Sequence, residues 1–218
     1  FYSCNNVDLE NISGIDFIPT ESYTILNIND LDTTKEIFQS NPLIPNIYSE
    51  LEIISSRLND LTVRESKNGV LSLSSYGKDQ VAYTFVSKIV VNDSIFQNEK
   101  FDHIYQNNNI YSRKINDETI YMTLIDNFFI SSNRDLIIEN IIRGLKSNKK
   151  LDSGLLKIFK TLDTDEPFNL VVRSKDFSNS NFKLKNISTF PKVKTSWIGY
   201  DFQNSLNELK LNGITRVN

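Results

Sequence analysis

Cys4 is the only cysteine of the 218 residues, and its setting decides what chemistry its thiol could do. Phe1-Tyr2-Ser3-Cys4 puts a small residue directly before the cysteine, as at the end of a bacterial lipoprotein leader. There the sulfur is acylated and the cysteine amine becomes the new N-terminus, so Cys4 is the candidate lipidation site. Residues 5–10, NNVDLE, are short, polar and acidic, too poor in apolar surface to order themselves, and suit a tether between an anchor and a folded domain. Phe1 to Ser3 precede the thiol where a processed lipoprotein would begin at Cys4, which fits an uncleaved leader, a cloning scar or an incidental lone cysteine. One thiol makes neither an internal disulfide nor a thiolate metal cage.

His103 is the only histidine, so any histidine-based triad or acid–base mechanism must use it. It lies in FDHIY with no G-x-S-x-G elbow anywhere in the chain, and reads as a solvated or edge-strand side chain. Asp163-Thr164-Asp165-Glu166 and Asn27-Ile28-Asn29-Asp30-Leu31-Asp32 could offer oxygens to Ca²⁺, yet neither has the glycine and distal glutamate of an EF-hand loop. The first reads as a loop before Pro167, the second as a strand end that caps a helix. Seven glycines form no phosphate-cradling motif. Neither catalytic, cofactor nor metal residues are expected.

The formal charge of −3 and pI near 5.3 leave no electrostatic footprint for nucleic acid. No stretch reaches the roughly 18 apolar residues of a spanning helix, so membrane attachment would come from a lipid on Cys4 or from a further segment. With 39% hydrophobic and 23% charged residues the chain can build one sizeable core or two small ones. Abundant Asn, Ile and Lys beside the single Ala82 reflect an AT-rich genome rather than a chemistry.

The elements that would position these residues follow from periodicity. Tyr23 to Asn29 alternates as a half-buried strand, and Asp30 or Asp32 can cap a short helix through Gln39. Asn41-Pro42 starts a helix over about 42 to 62, with Ile44, Ile47, Leu51, Ile54, Leu58 and Leu61 forming one apolar stripe. Leu71 to Tyr76 and Ala82 to Ile89 form a hairpin across Gly77 to Gln80. Phe101 to Tyr105, Ile110 to Ile115, Thr119 to Ile125 and Phe128 to Ser131 are separated by turn clusters too short for parallel crossovers, which predicts an antiparallel meander. Cross-strand pairing accounts for Tyr105, Tyr111, Tyr121, Phe128 and Phe129, although an exposed aromatic face could bind glycans or a partner's edge. Ser132 and Asp135 read as a capping box for a helix through about Leu145, with Ile137, Ile138, Ile141, Ile142 and Leu145 inward. After Leu162, the strand Phe168 to Arg173 echoes the first strand, and Trp197 to Phe202 and Leu206 to Val217 follow, the latter broken by an Asn212-Gly213 turn. Three sequons, at Asn11, Asn92 and Asn186, are what an Asn-rich chain produces by chance.

Ile18-Pro19 leading into YTILNIND, the Asn41-Pro42-Leu43 helix start, Tyr121-Met122-Thr123-Leu124 running through Phe128-Phe129-Ile130-Ser131-Ser132 into Leu136-Ile137-Ile138-Glu139, and Trp197-Ile198-Gly199-Tyr200-Asp201 together carry a resemblance. The chain resembles the N-terminal domains of an exported family of Gram-negative envelope lipoproteins of unknown function. Members of that family look like longer proteins, and some bear a ribonuclease label. Metal-dependent ribonucleases need several carboxylates converging on two cations, and no such spacing occurs here.

The expectation is an α+β fold in which an antiparallel meander is backed by two main helices, at about 42 to 62 and 133 to 146. Residues 1–18 form the tether, 19–162 the main domain and 163–218 the start of a second, related unit of a longer protein. The function expected is that of a non-enzymatic, lipid-anchored module in the cell envelope, anchored at the outer membrane and binding a protein partner there, in an outer-membrane assembly or export complex. The alternative is a hydrolase or metal-dependent nuclease completed by residues beyond Asn218.

Overall fold

The computed structural model describes residues 13–41, 43–44, 48–61, 66–78, 80–90, 95–147, 151–174, 196–205 and 208–215. The first described side chains already enter the core. Gly14–Phe17 form one 3-10 turn, and Phe17, fully buried, packs its ring 4.8 Å from Phe128. The stretch expected to act as tether through residue 18 thus contributes to packing from Phe17 onward.

Strand β1 (Ser22–Ile28) runs into helix α1 (Leu31–Ser40). The Asp30 carboxylate caps that helix by accepting from the Thr33 amide at 2.7 Å, and the same hydrogen bond lowers the Asp30 pKa. The helix expected from about residue 42 is described as α2 (Ser49–Asp60). Leu43 and Ile44 are helical, and Tyr48 before α2 is extended, at φ −148° and ψ 128°. The apolar stripe holds: Ile44, Leu51, Ile54, Leu58 and Leu61 are all buried. Ile47 lies outside the described residues.

Two hairpin strands follow, β2 (Gly69–Tyr76) and β3 (Gln80–Lys88). The meander comprises β4 (Lys100–Tyr105), β5 (Asn108–Ile115), β6 (Glu118–Ile125) and β7 (Phe128–Ser132), joined by two-residue turns at 106–107, 116–117 and 126–127. Gln106, Asn107, Asn116 and Asp126 take the positive φ that such turns require. Helices α3 (Asp135–Lys146) and α4 (Ser153–Phe159) precede β8 (Phe168–Arg173), β9 (Trp197–Ser205) and β10 (Glu208–Thr215). Short α4 has no counterpart in the sequence expectation. All ten described strands lie in one sheet, ordered β10-β9-β8-β1-β2-β3-β7-β6-β5-β4, with every neighbouring pair antiparallel. The strands expected to open a second unit therefore extend the same sheet beyond β1.

The fold is α+β, and the sheet is covered on both faces. Leu26, Ile28, Leu71, Leu73, Phe85 and Leu170 share one cluster with Leu31, Ile37 and Phe38 of α1 and Leu51, Ile54 and Leu58 of α2. The alternate residues face the other way: Ile25, Val70 and Val171 meet Leu155 and Ile158 of α4, while Ala82, Val86 and Ile130 meet Phe17 and Ile137 and Ile141 of α3. Two covered faces explain why β7 and most of β8 are buried at consecutive positions rather than alternate ones.

Two local readings are corrected. Ser132 is the buried last residue of β7, its hydroxyl donating to the Tyr83 carbonyl at 2.7 Å, so no capping box forms, and Arg134 stands at the N-cap without a side-chain capping bond, its guanidinium donating instead to the Asn133 carbonyl at 3.0 Å. Asn212-Gly213 is no turn but the middle of β10, opposite Asp201 and Tyr200. A Cβ at Gly213 would sit 3.3 Å from the Tyr200 ring, so glycine serves close packing there.

Candidate functional site

Three polar or aromatic assemblies stand out from this framework. The first surrounds His103. Strand β4 has a register irregularity between Phe101 and His103, so Asp102 and His103 are adjacent yet interact: Asp102 Oδ2 lies 2.8 Å from His103 Nδ1. On the other side of the ring, Glu139 Oε1 of α3 lies 3.1 Å from Nε2. The Ser112 hydroxyl on β5 reaches Asp102 Oδ1 at 3.4 Å. The Asp102 hydrogen bond above all raises the His103 pKa; burial opposes it as the next-largest effect, and the Glu139 hydrogen bond adds to the rise. His103 is thus on the edge strand, as its sequence context implied. Its Glu139 partner is invisible in the sequence, because the two are 36 residues apart and nothing local to Glu139 points to strand β4.

A second assembly brings together the two oxygen-rich segments singled out as cation candidates. Asn27 of β1 lies opposite Asn169 of β8, and Asn169 opposite Asp201 of β9. Asn169 Nδ2 donates to the Asp163 carbonyl and to Asp201 Oδ1, each at 2.8 Å. Asn169 Oδ1 accepts from Asn27 Nδ2 and Asn29 Nδ2, each at 3.1 Å. Asn29 Nδ2 also donates to the Glu166 carbonyl at 2.7 Å, and the Asp163 amide to Asp201 Oδ1 at 3.2 Å. The Asp163 side chain accepts from the Asp165 amide at 3.0 Å, which folds the loop on itself. Amide hydrogens of Asn29 and Asn169 thus occupy the space between the oxygens, and the assembly pins the 163–167 loop to the sheet. Among the described residues, no group of three His, Cys, Asp or Glu side chains is arranged to hold a metal ion. Asn169 and Asp201 were not singled out from sequence. The available signal was a polar residue inside each of the apolar runs FNLVVR and WIGYDF, which implies a buried hydrogen-bonding partner.

The third assembly is aromatic and lies at the β4 end of the sheet. Phe96 stacks on Tyr111 with ring centroids 4.2 Å apart, and Phe101 meets Tyr111 edge-on at 6.1 Å. Phe101 is 50% exposed and Ile104, on the same strand, 61%. Because the irregularity shifts register, Phe101 lies opposite Tyr111 and Ile104 opposite Asn109, which are two apart on β5, so both exposed side chains share a sheet face. Of the other aromatic residues considered, Phe128 and Phe129 are buried, and the Tyr105 hydroxyl accepts from Arg143 at 2.8 Å and 3.1 Å. Cys4 and the three sequon asparagines fall outside the described residues. No described helix is long and apolar enough to cross a membrane.

No family model and no curated protein matches this chain. A solved structure described as "Structure of crystal form III of TP0453" is similar over 92% of this chain and 78% of its own, with 9% identical residues and a TM-score of 0.49.

Proposed function

We propose that this chain is a non-enzymatic module of the cell envelope that binds a protein partner, is anchored at the outer membrane by a lipid on Cys4, and serves there in an assembly or export complex. The observation that carries the binding role is the pair Phe101 and Ile104, half or more exposed on one face of the terminal strand and continuous with the stacked Phe96 and Tyr111. Large apolar side chains left in water beside aromatic ones fit the centre of a protein contact. The strand itself is guarded against indiscriminate sheet extension by its irregularity and by Lys100 and Asp102, both exposed. Side-chain contact rather than open-ended strand addition is therefore the mode this surface supports. The anchoring role rests on Ser3-Cys4 and on the envelope-lipoprotein resemblance of the sequence.

The test uses the native protein expressed with its leader. It should fractionate with membranes, since acyl chains contribute about 0.8 kcal/mol per buried CH₂, and Cys4→Ser should release it to the soluble envelope fraction. A partner that co-purifies with the intact protein should be lost from the Phe101→Lys, Ile104→Lys double variant while circular dichroism stays unchanged. Equal membrane binding by Cys4→Ser would defeat the anchor. Metal-dependent turnover of RNA that disappears on replacing Asp163, Asp165 and Glu166 with alanine would establish the hydrolytic alternative instead.

A further inference from the structure

We propose that His103 is a proton-operated latch holding the terminal strand β4 to helix α3, closed when the imidazole is protonated and loosened when it is neutral. It rests on geometry and not on the binding role above. Strand β4 ends the sheet and pairs with β5 alone among the described strands, and none of its six residues is buried. Its packing is confined to partly buried side chains such as Tyr105, which rests on Ile110, Ile138 and Ile142, so its attachment depends largely on the β5 ladder and on side-chain contacts.

Those contacts come from one stripe of α3. Glu139, Arg143 and Lys146 are spaced four and three apart, so they share a helix face. Glu139 meets His103; Arg143 donates to the Tyr105 hydroxyl from Nε at 3.1 Å and Nη2 at 2.8 Å; Lys146 Nζ donates to the Gln106 carbonyl at 2.9 Å. Ile138 and Ile142 pack beneath on Ile110, so the stripe sits over the β4–β5 hairpin. Arginine and lysine keep their charge across the physiological range, whereas the imidazole does not. His103 is the one member of the clasp whose bonding changes with pH.

The protonated ring has two donors, and each faces a carboxylate: Asp102 at Nδ1 and Glu139 at Nε2. The neutral ring has one donor, so one carboxylate then confronts a lone pair. The other groups around it leave the balance acidic. Ser112 on β5 is neutral and bonded to Asp102, Arg143 is engaged on Tyr105, and Asp135, one turn before Glu139, adds a further negative charge to α3. The sign follows from proton linkage. The folded protein binds this proton more tightly than the ordinary pKa of 6.5 provides, chiefly through Asp102 on β4 itself and further through Glu139, the part that ties β4 to α3, so the contribution is fully present below that value and is lost as pH rises through the raised, folded-state pKa. His103 and Asp102 side chains are each 32% exposed, which keeps the effect at the scale of a solvent-screened pair.

One histidine in the chain makes the test clean. Its Cε1 proton resonance in NMR should titrate with a midpoint above 6.5 in the native protein, and Glu139→Gln should lower that midpoint. Hydrogen exchange, corrected for intrinsic rates, should show β4 amides losing about two- to fivefold protection relative to β1 amides as pH crosses the midpoint, the scale of a screened ion pair. His103→Gln should abolish the step. A β4-to-β1 protection ratio that stays flat across the titration, a midpoint at or below 6.5, or the same step in His103→Gln would each overturn the latch.

Discussion

Replacing Asn169 with alanine is the sharpest probe of how the two halves of the sheet are joined. Asn169 is fully buried and makes four side-chain hydrogen bonds, two donated and two accepted. Their loss is uneven. Asn27 Nδ2 keeps the Asn29 side chain at 3.0 Å and Asn29 Nδ2 keeps the Glu166 carbonyl at 2.7 Å, so neither donor is stranded. The Asp163 carbonyl loses Asn169 Nδ2 and keeps only the long 3.5 Å bond from Asn29 Nδ2, and Asp201, only 8% exposed, retains the Asp163 amide as its remaining described donor to Oδ1. A neutral buried bond contributes about 1 kcal/mol and one to a charged acceptor about 1.5–3 kcal/mol, so Asn169→Ala should destabilise by roughly 3 kcal/mol. Urea unfolding followed by circular dichroism measures this directly as a lowered midpoint. Asn169→Asp provides the companion test, because it puts a second carboxylate 2.8 Å from Asp201 Oδ1. It should cost more than alanine at neutral pH and regain stability on acidification, since neighbouring carboxylates retain a proton between them. A stability within about 0.5 kcal/mol of the parent for Asn169→Ala, below the worth of one ordinary buried hydrogen bond, would refute the reasoning.

Gly69 opens β2 where a Cβ would stand 2.6 Å from the Val86 carbonyl oxygen and 2.8 Å from the Phe85 ring, so Gly69→Ala should lower stability by about 1–3 kcal/mol in the same urea assay. Burial pushes the Tyr200 phenol up to about 12. Its neutral form is favoured by folding, so that contribution is intact below about pH 10, the ordinary tyrosine value, and is lost as pH climbs through the raised one. Tyr200→Phe should therefore flatten the alkaline fall of the thermal unfolding midpoint relative to the parent.

The sequence by itself determined the local elements. Alternation located β1, the polar turn at 77–80 and the Asn and Asp clusters delimited the hairpin and meander strands β2 through β7, and the Ile and Leu spacing located the buried faces of α2 and α3. These are short-range consequences of side-chain period and turn chemistry, which each segment carries alone. Segments whose conformation depends on distant partners are not legible from local pattern. Gly213 resembles a turn residue until the Tyr200 ring across the ladder is seen, and Ser132 resembles a cap until its hydroxyl is found on Tyr83. Tertiary structure alone decided that β8 pairs with β1, that β4 ends the sheet, and that helices cover both faces. It also made the candidate sites, since Glu139 meets His103 across 36 positions and Asn27 meets Asn169 across 142. Strand order carries almost no local signal, because an antiparallel strand exposes the same pleated edge to whichever neighbour arrives, and the partner is selected by the burial of both faces at once.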